Sequence, residues 1–214
     1  ENYLFNSSIL GLESADLVLL IGCNPRLEAT MLNARIRKAT IQNSLKVFSF
    51  GNPGDLTYSY QVLGNNTSDI KDFLKGTGKF SETFKKAKKP LVIIGEEALE
   101  LKSGGYIFEE IKEYLIKNGF INDDWNALNI LHRNASSVGA LDMGLIENTP
   151  NKESFFSNLN NKKFKFLYLL GSDNIKINKD DMFIVYQGSH GDRSAEIADV
   201  ILPGSAYTEQ NGLY

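Results

Sequence analysis

The chain alternates short apolar runs, helical patterns and turns rich in Gly, Pro and Asn. Several runs have the length and β-branched content of buried parallel strands, and stretches with a helical period follow them. Repeated alternation of this kind predicts parallel sheets covered by helices, which is an α/β fold. The predicted strands fall within residues 16–22, 45–55, 89–99, 127–132, 164–173, 181–188 and 198–204.

Two of the predicted helices have distinct apolar faces. Within residues 104–120 the apolar positions follow i, i+4, i+7, i+8 spacing, and Gly119 ends the helix. Pro25 suits the first turn of an earlier helix over residues 26–40, because that position needs no backbone N–H. The predicted buried residues are Ile107, Ile111, Tyr114 and Leu115 in the later helix, and Leu27, Met31, Ala34 and Ile36 in the earlier one.

The strand–helix pattern runs through the chain twice, with a connector near residues 80–88. The sequence therefore predicts two Rossmann-like parallel-sheet subdomains, over residues 1–84 and 85–214. The chain begins with Glu rather than Met and stops just after a strand-like run. We therefore expect it to be a segment of a longer polypeptide.

Composition and charge exclude several classes of function. A net charge of −3 and a pI near 5.5 predict no general attraction to nucleic acid or to anionic membranes. No apolar run approaches the ~20 residues needed to cross a bilayer, so no membrane insertion is expected. The single cysteine, Cys23, excludes an internal disulfide framework. It also excludes a self-contained iron–sulfur cluster, since such a cluster needs about four thiolates.

The junction Gly22-Cys23-Asn24-Pro25, between the first predicted strand and helix, is the first candidate site. A helix N-terminus offers unpaired N–H groups and a positive dipole end, so this loop is a candidate for anion binding. The dinucleotide fingerprint G-x-G-x-x-G is absent, because only Gly22 is a glycine here. A nucleotide-binding loop and a tight strand-to-helix turn both stay open, and the turn is favoured.

Nucleophilic catalysis has one candidate in the sequence. Cys23 at a helix N-terminus could have a lowered pKa and act as a nucleophile. Its base would be His132 or His190, the two histidines of the chain, but no local feature pairs either of them with Cys23. The favoured interpretation of Cys23 is a small, half-buried residue. His132 and Arg133 also follow a predicted strand, where α/β folds often place functional groups.

The stretch 186–204 contains a second group of polar residues. His190, Asp192, Arg193 and Glu196 follow a predicted strand, as acid–base or metal-binding residues do. Two histidines in the whole chain exclude a multi-His metal site. The favoured alternative is a polar loop in which Asp192 or Ser194 caps a helix.

Four stretches resemble the large iron–sulfur subunit of NADH:quinone oxidoreductase, the enzyme known as respiratory complex I. They are residues 15–39, 52–64, 125–144 and 186–214, and the last, ending in ADVILPGSAYTEQNGLY, is the most specific. The resemblance covers nearly the whole chain. It implies an α/β fold of the molybdopterin oxidoreductase type, with two Rossmann-like subdomains.

The resemblance also implies a function without chemistry in this segment. The family passes electrons from NADH through flavin and iron–sulfur clusters to quinone, and the segment is expected to be a scaffold in that enzyme. Catalytic residues, metal ligands and cofactors are expected to be absent, and Gly22, Asn24 and Pro25 to be the vestige of a pterin-dinucleotide loop. The 4Fe–4S and 2Fe–2S clusters of the parent subunit are expected upstream.

The same resemblance implies partners and a location. The partners are expected to be other subunits of the complex I peripheral arm, with no nucleic acid. The location is expected to be peripheral, on the cytoplasmic side of a bacterial inner membrane or on the matrix side in mitochondria.

Two other functions stay open from the sequence. One is the pterin-guanine-dinucleotide-binding domain of a working molybdenum or tungsten oxidoreductase. Residues 192–196 read Asp-Arg-Ser-Ala-Glu where many molybdenum enzymes have a Thr or Ser-Glu-Thr cap, and this departure disfavours pterin binding. The other is an independent nucleotide-binding protein that uses the Gly22 loop.

Overall fold

The computed structural model describes residues 2–145 and 155–212, which fall into two compact units. The first unit covers residues 1–138 and the second covers residues 139–214. Each unit is built on a parallel sheet. The predicted α/β class and the two parallel sheets are therefore confirmed.

The described part of the first unit contains a five-stranded sheet and the helices that connect its strands. A single 3-10 turn, Gly11–Ser14, precedes the first strand. The elements in chain order are β1 (Leu17–Ile21), α1 (Pro25–Glu28), α2 (Thr30–Gln42), β2 (Lys46–Phe50), β3 (Gln61–Gly64), α3 (Thr67–Leu74), α4 (Lys79–Lys85), β4 (Pro90–Gly95), α5 (Glu96–Leu99), α6 (Gly104–Lys117) and β5 (Leu128–Leu131).

The strand order in this sheet is β3-β2-β1-β4-β5, and every neighbouring pair is parallel. This is the order of the doubly wound Rossmann sheet. Helices cover both faces, so β1 is buried along its whole length. Leu17, Leu19 and Ile21 pack with the core residues of α3, α4 and α6, whereas Val18 and Leu20 pack with those of α2.

The predicted helix over residues 26–40 is two helices, α1 and α2, which bury different positions. Ala29 separates them with φ −151° and ψ 71°, outside the helical region. The break restarts the helical register at Thr30, so α2 buries Leu32, Asn33, Ile36 and Ala39. The predicted apolar face is therefore wrong except for Ile36, because Leu27, Met31 and Ala34 are exposed.

The N-terminal residues lie against β5 and cover that edge of the sheet. Phe5 forms an antiparallel bridge with Asn129, whose side chain is fully buried. The Asn129 side-chain oxygen accepts the Ser7 N–H at 2.9 Å. Its amide nitrogen donates to Ser7 Oγ at 3.0 Å and to the carbonyls of Val92 and Ala127 at 3.3 and 3.0 Å. One buried amide thus joins the N-terminal segment to two strands.

The boundary between the units differs from the predicted boundary at residues 84 and 85. β4 pairs with β1 over the whole of Leu17–Ile21, and β5 pairs with β4. Residues 85–138 therefore complete the first sheet instead of starting a second one. Hydrophobic periodicity identifies strands but does not specify which strands pair. The connector near residues 80–88, before β4, thus does not mark the boundary between the two units.

The second unit contains a three-stranded parallel sheet, whose strands in spatial order are β6 (Phe166–Leu170), β7 (Phe183–Gly188) and β8 (Val200–Pro203). Its core consists of Leu159, Leu167, Leu169, Met182, Ile184 and Tyr186. No helix in the described residues is both long and apolar enough to cross a membrane. The other described elements of the second unit, after α7 (Ser137–Asp142) at the boundary, are α8 (Phe155–Asn160), α9 (Arg193–Glu196) and a 3-10 turn at Tyr207–Glu209.

We expect Asn129→Ala to lower the free energy of unfolding by about 2 kcal/mol, since it removes a fully buried amide and leaves the Ser7 N–H without its acceptor. Urea denaturation measures the change. Asn65→Ala, at an exposed asparagine, is the matched control and should change stability by less than about 0.5 kcal/mol. Equal stability of the two variants would show that the Asn129 network does not hold this edge.

Candidate functional site

A crevice of about 480 Å³ lies where the carboxyl ends of β1 and β2 meet the loops that follow them. The strand order reverses direction between β1 and β4, and α/β sheets bind ligands beyond the carboxyl ends of their strands at this point. The lining includes the predicted loop residues Gly22 and Asn24, together with Glu28, Glu97 and Arg133. The predicted site is thus at the right place in the fold for a ligand.

The glycine at position 22 is explained by packing within the chain. Gly22 has φ +54°, and a Cβ there would lie 2.6 Å from the Cβ of Ala98 on α5. Gly95, at the end of β4, is equally constrained, because its Cβ would lie 2.3 Å from the carbonyl oxygen of Gly22. Both distances are impossible for real side chains. The close approach of the β1 and β4 loops therefore requires both glycines, with or without a ligand.

Pro25 lies in the first turn of α1 as predicted, and Asn24 is the N-cap residue of that helix. The Asn24 side-chain oxygen accepts the Leu27 N–H at 3.1 Å, and Pro25 is the first helical residue. The Asn24 side-chain amide donates to the carbonyl of Pro53 at 2.7 Å, and an ion pair at 2.5 Å joins Arg26 to Asp55. The loops after β1 and β2 are therefore held together by their own polar groups.

Glu28 belongs to the site although the sequence pattern did not single it out. Its Oε1 accepts the backbone N–H of Asn24 at 2.7 Å, so a carboxylate of the chain lies against the loop. Its Oε2 is buried, makes no hydrogen bond within the described residues, and lies 3.8 Å from Nε of Arg133. Arg133 also lies 3.6 Å from Glu97. The sequence signal that could have identified Glu28 is its position four residues after Asn24, the residue that caps the helix.

This arrangement disfavours a phosphate group at the loop. The charged side chains that line the crevice are two carboxylates, Glu28 and Glu97, and one guanidinium, Arg133. The N–H of Asn24, which a phosphate would need, already donates to Glu28. A phosphate would meet like charge and would have to displace an internal hydrogen bond. The residues present therefore do not fit the pyrophosphate of a pterin dinucleotide.

Cys23 is buried and does not have the environment of a nucleophile. Its thiol lies 3.7 Å from the carbonyl oxygen of Ile93. Burial, with a smaller contribution from the nearby charge of Glu28, raises the pKa of Cys23 to about 12. A catalytic cysteine needs the opposite shift, toward a lower pKa. The structure thus agrees with a packing role for Cys23.

His132 anchors the N-terminal segment and does not line the crevice. Its Nδ1 lies 3.1 Å from Oε1 of Glu96, and its Nε2 lies 2.7 Å from the carbonyl oxygen of Tyr3. Both ring nitrogens are engaged by these neighbours. His132 is therefore not poised to accept a proton from Cys23.

In the second unit, one of the two residues proposed as a helix cap stands at the N-cap position and the other does not. Asp192 is at the N-cap position of α9, but its side chain makes no capping hydrogen bond. Ser194 is fully buried, and its hydroxyl accepts the N–H of Ile175 at 3.2 Å. The Ser194 N–H donates to the carbonyl of Asp173 at 3.0 Å. The predicted N-cap position of Asp192 is therefore confirmed without a side-chain hydrogen bond, whereas Ser194 does not cap the helix and joins α9 to the loop after β6.

The remaining polar residues of that stretch do not converge on one site. His190 Nδ1 lies 2.8 Å from Oγ of Ser189, whereas Arg193 and Glu196 line a separate depression that His190 does not line. The Tyr186 hydroxyl lies 2.5 Å from the Asp173 carboxylate, and this hydrogen bond raises the pKa of Tyr186 to about 12. Within residues 2–145 and 155–212, no three His, Cys, Asp or Glu side chains gather as metal ligands do.

We expect Glu28→Ala to destabilise the first unit by about 1 kcal/mol, because the Asn24 N–H loses its acceptor and Arg133 loses its buried partner. Glu97→Ala is the matched control. The Glu97 side chain is 70% exposed, so its loss should cost less than about 0.5 kcal/mol. Urea denaturation compares the variants, and equal effects would contradict the role given to Glu28.

We expect the thiol of Cys23 to react with iodoacetamide at pH 8 at least about 100-fold more slowly in the native chain than in guanidinium chloride. The raised pKa also predicts a pH dependence. In the unfolded chain the pKa of the thiol is ~8.5. Below that pH, burial of the neutral thiol stabilises the native chain fully, and this stabilisation is lost as the pH rises toward about 12. Rapid stoichiometric labelling of the native chain would contradict this assignment.

The chain is similar to large subunits of a respiratory enzyme. It is 47% identical to the NADH-ubiquinone oxidoreductase 75 kDa subunit of Reclinomonas americana and 45% identical to the 78 kDa subunit of Candida albicans. It is 39% identical to the mitochondrial NADH dehydrogenase (ubiquinone) iron-sulfur protein 1 of Solanum tuberosum. Each alignment covers 100% of this chain but only 31%, 29% and 28% of the respective relatives.

A family model supplies the broader assignment. The model of the molybdopterin oxidoreductase family matches residues 1–214, which is the entire chain. The five-stranded sheet with its reversal of strand order at β1 and β4 is the nucleotide-binding architecture expected of such a domain. The chain belongs to the molybdopterin oxidoreductase family.

Proposed function

We propose that this chain is a structural domain of the large iron–sulfur subunit of an NADH:quinone oxidoreductase, respiratory complex I. The observation that carries the proposal is 47% identity to the 75 kDa subunit of Reclinomonas americana across the whole chain. The domain supports electron transfer from NADH through iron–sulfur clusters to quinone, and it performs no chemistry of its own. The complete subunit, in its complex, is the oxidoreductase.

The geometry of the crevice supports a domain without a bound cofactor. Glu28 satisfies the loop N–H of Asn24, and the packing of α5 accounts for Gly22. A dinucleotide loop would use such groups for a phosphate. Gly22, Asn24 and Pro25 are on this proposal the remnant of a pterin-binding loop whose anion site has been filled by an internal carboxylate.

The clusters and the partners of the domain lie outside this chain. Cys23 is buried against Ile93, so this segment supplies no exposed thiolate for a 4Fe–4S or 2Fe–2S cluster. The clusters are then bound upstream in the complete subunit. Its partners are other subunits of the peripheral arm, located on the matrix side in mitochondria or the cytoplasmic side in bacteria, without direct membrane insertion.

A second candidate is the pterin-guanine-dinucleotide-binding domain of a molybdenum or tungsten oxidoreductase. The match of the whole chain to the molybdopterin oxidoreductase family favours it. The two functions differ in whether a metal and a pterin are bound. The crevice favours the structural domain, because Glu28 already accepts the loop N–H of Asn24 and the charged lining has two carboxylates to one guanidinium.

Metal and pterin analysis tests the proposal on the complete subunit, purified without oxygen. We expect iron from the clusters, but less than about 0.1 molybdenum or tungsten and less than about 0.1 pterin per polypeptide, since the phosphate contacts are missing. A molybdenum oxidoreductase from the same host, purified in parallel, is the control for cofactor loss. One metal and one or two pterins per subunit would overturn the proposal.

The 214-residue chain alone provides a second arm of the same experiment. It should not oxidise NADH with an artificial electron acceptor, because it has neither flavin nor clusters on this proposal. The assembled complex from the same host is the positive control. NADH oxidation by the pure chain would contradict a structural function.

A further inference from the structure

The first unit carries a dense group of lysines on α3, on α4 and on the loop that leads to β4. Residues 71–89 contain seven lysines and only two acidic residues, which gives this stretch a net charge of +5 in a chain whose total is −3. The seventh, Lys89, holds its ammonium 5.3 Å from the centroid of the Trp125 ring. The other six are exposed, and we call them the lysine surface: Lys71, Lys75, Lys79, Lys85, Lys86 and Lys88.

The fold brings these lysines together on a packed support. Helices α3 and α4 meet through Phe73 and Phe80, whose ring centroids are 5.1 Å apart, and the Ser81 hydroxyl donates to the carbonyl of Phe73 at 3.0 Å. The Lys85 side chain reaches back toward the end of α3, since a Cβ at Gly76 would lie 3.4 Å from its Nζ. The lysines of the two helices are therefore neighbours in space as well as in sequence.

The charge of the lysine surface is not neutralised within the described residues. No Asp or Glu oxygen in residues 2–145 and 155–212 lies within 4.0 Å of any of its six ammonium groups. Asp16, which lies against this loop, uses its two carboxylate oxygens to accept the backbone N–H groups of Lys88 and Lys89, at 2.7 and 3.0 Å. Six cations thus face solvent without an anionic partner.

Helix stability does not account for the whole lysine surface. A cation in the last turn of a helix is favoured by the helix dipole, and this explains Lys71 in α3 and Lys85 in α4. Lys79 is the first residue of α4, where the dipole disfavours a cation, and Lys88 lies beyond the helix. Concentrated like charge also adds repulsion within the folded chain. An acidic group from outside would relieve that repulsion.

The composition of the lysine surface favours a protein over nucleic acid or lipid. It contains no arginine, the residue best suited to phosphate, and residues 71–89 expose no large apolar side chain that stacks on a base or enters a bilayer. The aromatic rings of this region, Phe73, Phe80 and Phe84, pack into the core of the unit. Solvated lysines instead steer and orient an oppositely charged protein.

We infer that the lysine surface binds an acidic surface, rich in Asp and Glu, on another polypeptide of the assembly. Electrostatic steering raises the association rate of separate molecules, whereas two surfaces of one chain are already tethered at high effective concentration. This favours a separate partner over another part of the same polypeptide. The inference rests on the proposed function only for the identity of the assembly, the respiratory complex.

Carbodiimide cross-linking of the assembled complex tests the inference. The reagent activates a carboxylate, and a lysine amine within ion-pair distance attacks it to form an amide bond as the urea of the reagent leaves. We expect peptide-level mass spectrometry to find Lys85 and Lys88 joined to Asp or Glu of another polypeptide. Lys102, exposed and distant in sequence from the lysine surface, is the matched control and should give at least about tenfold fewer such cross-links.

Charge reversal shows whether the contact is electrostatic. Lys86→Glu combined with Lys88→Glu should lower the yield of cross-links from the unchanged Lys85 at least about fivefold, because the acidic partner then meets like charge. Lys86→Arg combined with Lys88→Arg keeps the charge and should leave that yield unchanged. All four substitutions are at exposed positions, and urea denaturation of the 214-residue chain checks that the fold is retained.

The other outcomes overturn the inference. Cross-links confined to carboxylates of the same polypeptide, or equal yields at Lys85 and Lys102, would show that no separate acidic partner is bound. Sedimentation of the 214-residue chain with phosphatidylserine vesicles, without cross-links to another protein, would assign the surface to a membrane. Metal and pterin are measured on the same preparation. Bound pterin together with the expected cross-links would therefore reject the proposed function and keep this inference.

Discussion

Burial of β1 on both of its faces is the constraint on which the first unit depends. All five residues of the strand are buried, and alternate side chains enter two separate cores. Burial of this strand is strongly stabilising, because full burial of a Val, Leu or Ile side chain contributes about 1.5–3 kcal/mol and all five residues are of these types. It also requires a partner strand on each side, which β2 and β4 provide in parallel register.

The position of the crevice follows from that central strand. Because β1 and β4 are adjacent and parallel, their following loops leave the sheet at the same edge and come within contact distance. Gly22 and Gly95 permit the contact, and Glu28 places a carboxylate on the loop N–H. The same architecture that forms a nucleotide site elsewhere is here held together by internal contacts. These internal contacts are the physical basis of the structural function that we propose.

Sequence patterns predict some elements correctly and others not, for identifiable reasons. Helix α6 buries Ile107, Ile111, Tyr114 and Leu115, all of them expected from the period. The earlier helix differs from its prediction because Ala29, an ordinary helix former, adopts a non-helical conformation there. Strand β3 is absent from the predicted strands, since its residues Gln61–Gly64 are partly exposed at the sheet edge and have no clear apolar alternation.

The sequence by itself determined the α/β class, the positions of most buried strands and the turn at Gly22-Cys23-Asn24-Pro25. These features depend on local periodicity and on the backbone preferences of Gly and Pro. The tertiary structure alone decided that β4 joins β1, and that Glu28, Arg133 and Glu97 meet in one crevice. Strand pairing and charge proximity depend on contacts between residues far apart in the chain. Local patterns do not encode those contacts.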